Sequence, residues 1–381
     1  MNKLVYRWTS PQISDEGRKL LDTVINSGQW SYGPIARLVE REISTRLHVN
    51  HALLTNSGTS ALWILLSMGR QKDKQQAIIL PAFGYSAAAN IAASLGYEIY
   101  VAESCKDAPV VDPQSIERLL DNKVAFVIGI NYFGYSVEWD KIPKSKNYKI
   151  IEDAAGSFGA QYKDKPSGSN AELSIISFHT SKAVAAGGEG GCILAEDGEI
   201  INTAKAIGKN GHIKGYYYSE MAGMNMLMTD VAACFLRDTI EDLPQSSPKR
   251  QQIIKTIDGI MQAKGVEAPH FNHSGNGRSQ NYQTYATLIN NRDFAVELLR
   301  LNGIETRPCW PFLITEQPAI SESIKKVDGS LSNAKRFASH IINIPVNPKS
   351  FDDNWANKLG SILPQAIHPQ TIRPSRQRSE S

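Results

Sequence analysis

One lysine has an unusual setting in SFHTSKAVAAGGEGGCILAED, Ser177 to Asp197. Lys182 follows the apolar run LSIISF and is itself followed by a glycine-rich turn. Lysines ordinarily stand on solvated faces. In a partly desolvated site lined by glycine backbone, however, the amine can shed its proton and attack a carbonyl. Asp153 has a comparable position, at the end of the apolar run in YKIIEDAAGS; a carboxylate straight after a buried strand serves as a metal ligand, a cap or the partner of a cation. NSGTSAL, Asn56 to Leu62, reads as a turn from strand to helix. There Gly58 lets backbone approach a ligand closely, the first amides of the helix form an anion site, and Thr59 and Ser60 add hydroxyls. No G-K-[ST] follows, so the turn is not a nucleotide P-loop. Tyr85 in LPAFGYS sets an aromatic ring just past another apolar run, where stacking on a flat ligand and ordinary core packing both remain open.

Taken singly, each feature has a bland reading: a solvated loop lysine, a capped helix, a structural acid, a core tyrosine. Together, an amine, an acid, an aromatic plate and a phosphate cradle are what a protein supplies to pyridoxal 5'-phosphate (PLP). In that reading Lys182 condenses with the cofactor aldehyde, Asp153 keeps the pyridine nitrogen protonated, Tyr85 stacks on the ring and the turn at Gly58 holds the phosphate.

The elements that must position these residues follow from the hydrophobic pattern. PIARLVEREISTRL places Ile35, Leu38, Val39, Ile43 and Leu47 on one helical face behind Pro34. Apolar runs ending at Leu54, and over 76–83, 124–131, 148–153, 173–178 and 191–197, read as buried strands. Continuous apolar strands separated by helices predict an α/β fold with a mostly parallel sheet covered on both faces. Ligands of such sheets collect at the carboxyl ends of strands, where all four features fall. A composition shift in EDLPQSSPKRQQ suggests a large domain over 1–243 and a smaller α+β domain over 244–370. The polar, aperiodic tail 371–381 reads as disordered. FGYS occurs twice, at 83–86 and 133–136, with unrelated surroundings, and reads as coincidence.

Composition narrows the function classes. A net charge of +3 over 381 residues with scattered basic residues argues against nucleic acid as partner. No apolar run is long enough to span a bilayer, and the N-terminus lacks the apolar core of a signal peptide. Four dispersed cysteines without a C-x-x-C pair fit neither a disulfide frame nor a zinc site. A soluble cytoplasmic protein without a metal site is expected. His270 and His273 in PHFNHSGNG read as a polar loop, and His179 stands either near the ligand or in strand-end packing.

At these residues the chain resembles the DegT/DnrJ/EryC1/StrS family of sugar-nucleotide aminotransferases, PLP enzymes of fold type I. The resemblance runs through SGQWSYGPIARLVERE, NSGTSAL, LPAFGYSAAANIAASLGYEIY, IIEDAAGSFGAQYKDKPSGS, SIISFHTSK, GEGGCIL, GMNMLMTDVAACFL and NRDFAVELLRLNGIETRPCWPF. It implies a large domain with a mixed, mostly parallel sheet and a smaller C-terminal domain. Lys182 is then the Schiff-base lysine and Asp153 the partner of the pyridinium. Gly58, Thr59 and Ser177 hold the phosphate, and Tyr85 covers the ring. Asn225 in GMNM matches an asparagine that reaches the phosphate in the neighbouring subunit, implying a homodimer with shared active sites. The implied reaction moves an amino group from an amino acid, L-glutamate by analogy, to a nucleotide-linked keto-deoxysugar.

Some positions depart from the family pattern. Gly156 stands where a Gln or His contacts the ring hydroxyl, Leu227 where an Arg or similar residue often follows, and Ile314 or Thr315 where a histidine is common. These departures are expected around the substrate pocket, with Trp30, Tyr32 and Trp310 as candidate aromatics. Two alternatives stand beside the aminotransferase: a degenerate protein that binds without turnover, and a PLP-dependent sugar dehydratase, which the intact lysine and dispersed cysteines disfavour.

Overall fold

The computed structural model describes residues 6–71, 73–215, 217–263, 271 and 277–367. The tail 371–381 and the histidines at 270 and 273 lie outside the described residues. The N-terminal half opens with α1 (Asp15–Ser27) and α2 (Pro34–Leu47) and then alternates: β1 (His51–Thr55), α3 (Gly58–Gly69), β2 (Ala77–Pro81), α4 (Ala87–Ser94), β3 (Glu98–Ala102), α5 (Pro113–Leu119) and β4 (Val124–Ile130). Next come β5 (Lys149–Asp153), the two-residue β6 (Gln161–Tyr162) and β7 (Lys165–Pro166), β8 (Leu173–Ser177), β9 (Gly191–Ala195), α6 (Gly198–Ile207) and the long α7 (Asp230–Ala263). The rest of the chain contributes β10 (Arg278–Ser279), β11 (Thr284–Leu288), α8 (Arg292–Leu301), β12 (Ile324–Val327), α9 (Ser332–His340), β13 (Ile341–Pro345) and α10 (Asp353–Ile367).

An eight-stranded sheet runs in the order β1-β9-β8-β5-β4-β2-β3-β12. β9 is antiparallel to both of its neighbours, and every other pairing is parallel. Two antiparallel steps restore direction, so β1 points the same way as β8, β5, β4 and β2, and all five end at one edge. β2 and β9 are buried throughout, as strands covered on both faces must be. The mostly parallel, helix-covered sheet expected from the apolar runs is therefore present. Two of its strands were not foreseen. β3 opens on the charged Glu98, and β12, IKKV, is a mostly exposed edge strand with two lysines.

Local signals mark several helix ends. Ser14 accepts from the Gly17 N–H at the start of α1, whose end is capped by Gly28 at φ 70°. Pro34 opens α2. α7 runs through the composition shift at 241–252 and holds Pro244 and Pro248 inside. β12 and α9, both from the segment 244–370, pack on the large sheet and its core. A separate cluster gathers Ile253, Ile257, Tyr285, Leu299, Ile344 and Trp355 around the β11–β13 pair.

Candidate active site

The shared edge of the sheet opens into a cavity of about 880 Å³, within the range typical of small-molecule sites, roughly 300–1,000 Å³. Gly58, Thr59, Tyr85, Asp153, Ser177 and Lys182 all line it. The sequence spreads these residues over more than a hundred positions; parallel strand ends bring them together.

The amine and the acid shape each other's chemistry. Asp153 closes β5, and one of its oxygens accepts from the Ala155 N–H at 2.9 Å. Burial pushes its carboxyl up to about 6, opposed by that hydrogen bond and by the positive charge of Lys182. Burial lowers the Lys182 amine from its ordinary value, while the charge of Asp153 and the Cys309 thiol act in the other direction. Both side chains are only half-buried by exposed area because they open onto the cavity, yet protein encloses them on the remaining sides. The Lys182 N–H donates to the His179 carbonyl at 2.9 Å, which fixes the turn that aims the lysine. Next to Asp153 in sequence, but on the other face of β5, Glu152 is wholly buried. Its carboxylate accepts from Asn131 Nδ2 at 2.8 Å and from the Asn170 N–H at 2.8 Å, an anchor for the strand end that carries Asp153.

The other end of the cavity is built for an anion. Ser57 caps α3: its hydroxyl accepts from the Ser60 N–H, and its carbonyl from the Ala61 N–H. The amides of Gly58 and Thr59 keep no hydrogen-bond partner among the described residues. A helix N-terminus with two free amides attracts a phosphate. A Cβ on Gly58 would stand 3.0 Å from Ser177 Cβ and 3.3 Å from its Cα, so the cradle is narrow and glycine keeps it open. A cradle for phosphate, an acid and an amine whose basicity burial lowers, all in one cavity, fit PLP in size and in chemistry.

Aromatic rings form the mouth. Tyr85 is 61% exposed and its ring lies 6.4 Å from that of Trp310, which stacks on Phe133 at 5.5 Å. Tyr132 donates to the Phe83 carbonyl at 2.6 Å. Any Cβ on Gly84 would collide with that Tyr132 hydroxyl, which explains the glycine in FGYS. The two FGYS copies, read as coincidence, follow the ends of the neighbouring strands β2 and β4 and meet at the cavity. The second copy carries Phe133 to the cavity, directly after Tyr132.

Further lining residues had no local signal. Gln283 reaches in from the C-terminal part; its Nε2 donates to the Ser181 carbonyl at 3.2 Å. A Cβ on Gly156 would lie 3.2 Å from Gln283 Oε1, so the glutamine stands over the place where Gly156 has no side chain. Trp8 donates to the same Ser181 carbonyl at 3.0 Å and carries the Arg307 guanidinium over its ring at 4.6 Å. His179 takes the cavity position rather than strand-end packing, with Nδ1 2.7 Å from Ser181 Oγ.

Several expectations need correction. Leu227 and Ile314 do not surround the cavity; both are buried in the core of the sheet. Of the departures from the family pattern, Gly156 alone lines the cavity. Trp310 lines it, but Trp30 and Tyr32 do not: Trp30 is exposed and donates to the Ile25 carbonyl, and Tyr32 donates to Glu40. Asn225, expected to serve the neighbouring subunit's cofactor, does not line this chain's own cavity. It is exposed beside the rim, where its carbonyl accepts from Asn56 Nδ2 at 3.4 Å. Among the described residues no cluster of potential ligands could hold a metal ion, and no helix is long and apolar enough to cross a membrane.

A UDP-2-acetamido-2-deoxy-3-oxo-D-glucuronate aminotransferase of Pseudomonas aeruginosa is 24% identical over 88% of this chain and 92% of its own length. Among solved structures, Helicobacter pylori PseC, an aminotransferase involved in the biosynthesis of pseudoaminic acid, matches with a TM-score of 0.85 at 22% identity, over 96% of this chain and 99% of that one. S. venezuelae DesV matches with a TM-score of 0.84 at 21% identity, over 94% and 99%. The family pattern itself matches residues 11–359, and the chain belongs to the DegT/DnrJ/EryC1/StrS aminotransferase family.

Proposed function

We propose that this chain, a PLP-dependent aminotransferase of nucleotide-linked sugars, takes the amino group of L-glutamate and delivers it to the keto carbon of a nucleotide-linked keto-deoxysugar, with Lys182 as the amine that attaches the cofactor. The observation that carries the reading is the meeting of Lys182, Asp153 and the two free amides of α3 in one cavity.

Each residue has a role derived from its surroundings. The Gly58 and Thr59 amides and the Ser177 hydroxyl hold the cofactor phosphate, and the positive end of α3 favours its charge. Asp153 would pair as an anion with the ring nitrogen and keep it protonated, because a positive charge there would restore the carboxylate that burial alone disfavours. Tyr85 covers one ring face. Gln283 presents its amide over Gly156 and supplies the polar contact that the glycine does not. The bound cofactor supplies an electron sink for the carbon that loses a proton. Lys182 Nζ would act as the base for the donor α-carbon proton and then as the acid that returns it. A lowered amine value suits both halves of this transfer. The Trp310, Phe133 and Tyr132 rings keep the reacting side of the cavity apolar and limit water.

Asn225, exposed next to the rim, completes the phosphate site of a second copy, and the enzyme works as a homodimer. Four free cysteines suit a reducing cytoplasm. The test supplies glutamate carrying isotopically labelled nitrogen with a panel of nucleotide-linked 3-keto and 4-keto hexoses. Label in an amino-sugar product, with ping-pong kinetics, is expected. Loss of label from glutamate without its appearance in any sugar would refute the assigned acceptor.

A further inference from the structure

Behind the loop that carries Lys182 lies a second, smaller cavity of about 160 Å³. Ser10 from the N-terminal segment, Thr180 from the loop, Asp242, Lys249 and Arg250 from α7, and Lys349 beyond β13 face it. Arg250 is the unusual member, at only 9% exposure. One end of its guanidinium donates to the Val346 carbonyl at 3.0 Å. Its buried Nε has no hydrogen-bond partner among the described residues. Asp242 is the nearby acid and its charge acts on Arg250, but it forms no ion pair with the guanidinium and stands exposed. The Lys249 and Lys349 side chains, both exposed, form no ion pairs among the described residues, so with Arg250 and Lys182 four basic side chains line the cleft against one carboxylate.

Proteins seldom bury an arginine without an acid, because an uncompensated buried charge costs several kcal/mol. A guanidinium fork matches the two oxygens of a carboxylate or phosphate, and ammonium groups reinforce it as point charges. The Ser10 hydroxyl accepts from Asn347 Nδ2 at 3.1 Å, which leaves its own hydrogen to donate. The volume suits a single small anion and excludes a nucleotide.

We infer that this cleft binds a small oxyanion on Arg250, Lys249 and Lys349, at a site distinct from the phosphate cradle of α3. An occupant would tie together the N-terminal segment, α7 and the turn at 347–349, and so would raise thermal stability by mass action. Thr180 and Lys182 share the wall, so the anion lies directly behind the catalytic loop.

The test uses cofactor-saturated protein, so that the α3 cradle is filled. Inorganic phosphate and succinate are titrated separately at constant ionic strength and followed by calorimetry and by melting temperature. Saturable binding at millimolar concentration is expected, with phosphate preferred if the site takes phosphate and succinate preferred if it takes carboxylate. Lys349→Glu, an exposed change compatible with folding, should weaken binding about tenfold, the worth of one charge-assisted contact. Arg250→Lys, which keeps the charge and loses the fork, should weaken it as well. No saturable binding of either anion below roughly 30 mM, or equal binding by parent and both variants, would overturn the inference.

Discussion

Replacing Asp153 by Asn should stabilise the cofactor-free protein at neutral pH while weakening its hold on the cofactor. Burial raises the Asp153 carboxyl from 3.8 to about 6, against the pull of the Ala155 N–H and of Lys182. Between those values the folded protein binds more protons at this site than the unfolded chain does, so stability falls as pH rises. The contribution is complete below the ordinary value and is lost as pH passes through 6. At about 1.4 kcal/mol per pH unit, the shift sets a ceiling of about 3 kcal/mol. Asparagine cannot ionise and escapes this cost, and the Ala155 N–H bond is already counted in the shift. Asp153→Asn should therefore gain up to about 3 kcal/mol at pH 7.5 and little at pH 4. Urea unfolding of protein stripped of cofactor, run across that range, measures the difference directly. A variant destabilised equally at both ends would refute the buried-acid reasoning. In the same variant cofactor affinity should fall at least tenfold, because the pyridinium loses its counter-charge.

Three further outcomes follow from the cavity walls. Gly58→Ala should leave the protein folded but weaken cofactor binding roughly tenfold, since the new Cβ meets Ser177 backbone at 3.3 Å and narrows the cradle; fluorescence titration reads this. Gln283→Ala should lower cofactor affinity by about 1 kcal/mol and shift the pH dependence of the bound chromophore, whereas a merely structural glutamine would leave that spectrum unchanged. Gly84→Ala should cost several kcal/mol in thermal or urea unfolding, because the added methyl collides with the Tyr132 hydroxyl and the backbone sits at φ 149°, a region that non-glycine residues rarely adopt.

Much of this architecture was legible in the sequence because it rests on local patterns. Continuous apolar runs at 76–83, 124–131 and 173–178 become the buried strands β2, β4 and β8, and the polar turns after them become the cavity floor. Lys182, Asp153 and Gly58 could be read for the same reason: Asp153 ends β5, and Gly58 and Lys182 lie within five residues of the ends of β1 and β8, where such sheets collect their ligands. β3 and β12 were hidden because an edge or a charged start breaks the apolar run. Gln283, Arg307 and Trp8 were hidden for a different reason. They reach the cavity by tertiary packing from the far ends of the chain, and nothing in their neighbours' spacing announces it. Leu227 and Ile314 fail in the opposite sense: family alignment placed them at the pocket, and folding turned both into the core.

The most direct test of the central claim is the chemical identity of the residue that holds the cofactor. Borohydride reduction of the PLP-loaded protein, followed by peptide mass mapping, should place one phosphopyridoxyl group on Lys182 and none elsewhere. A modified lysine at any other position, or unmodified protein after reduction, would contradict the account.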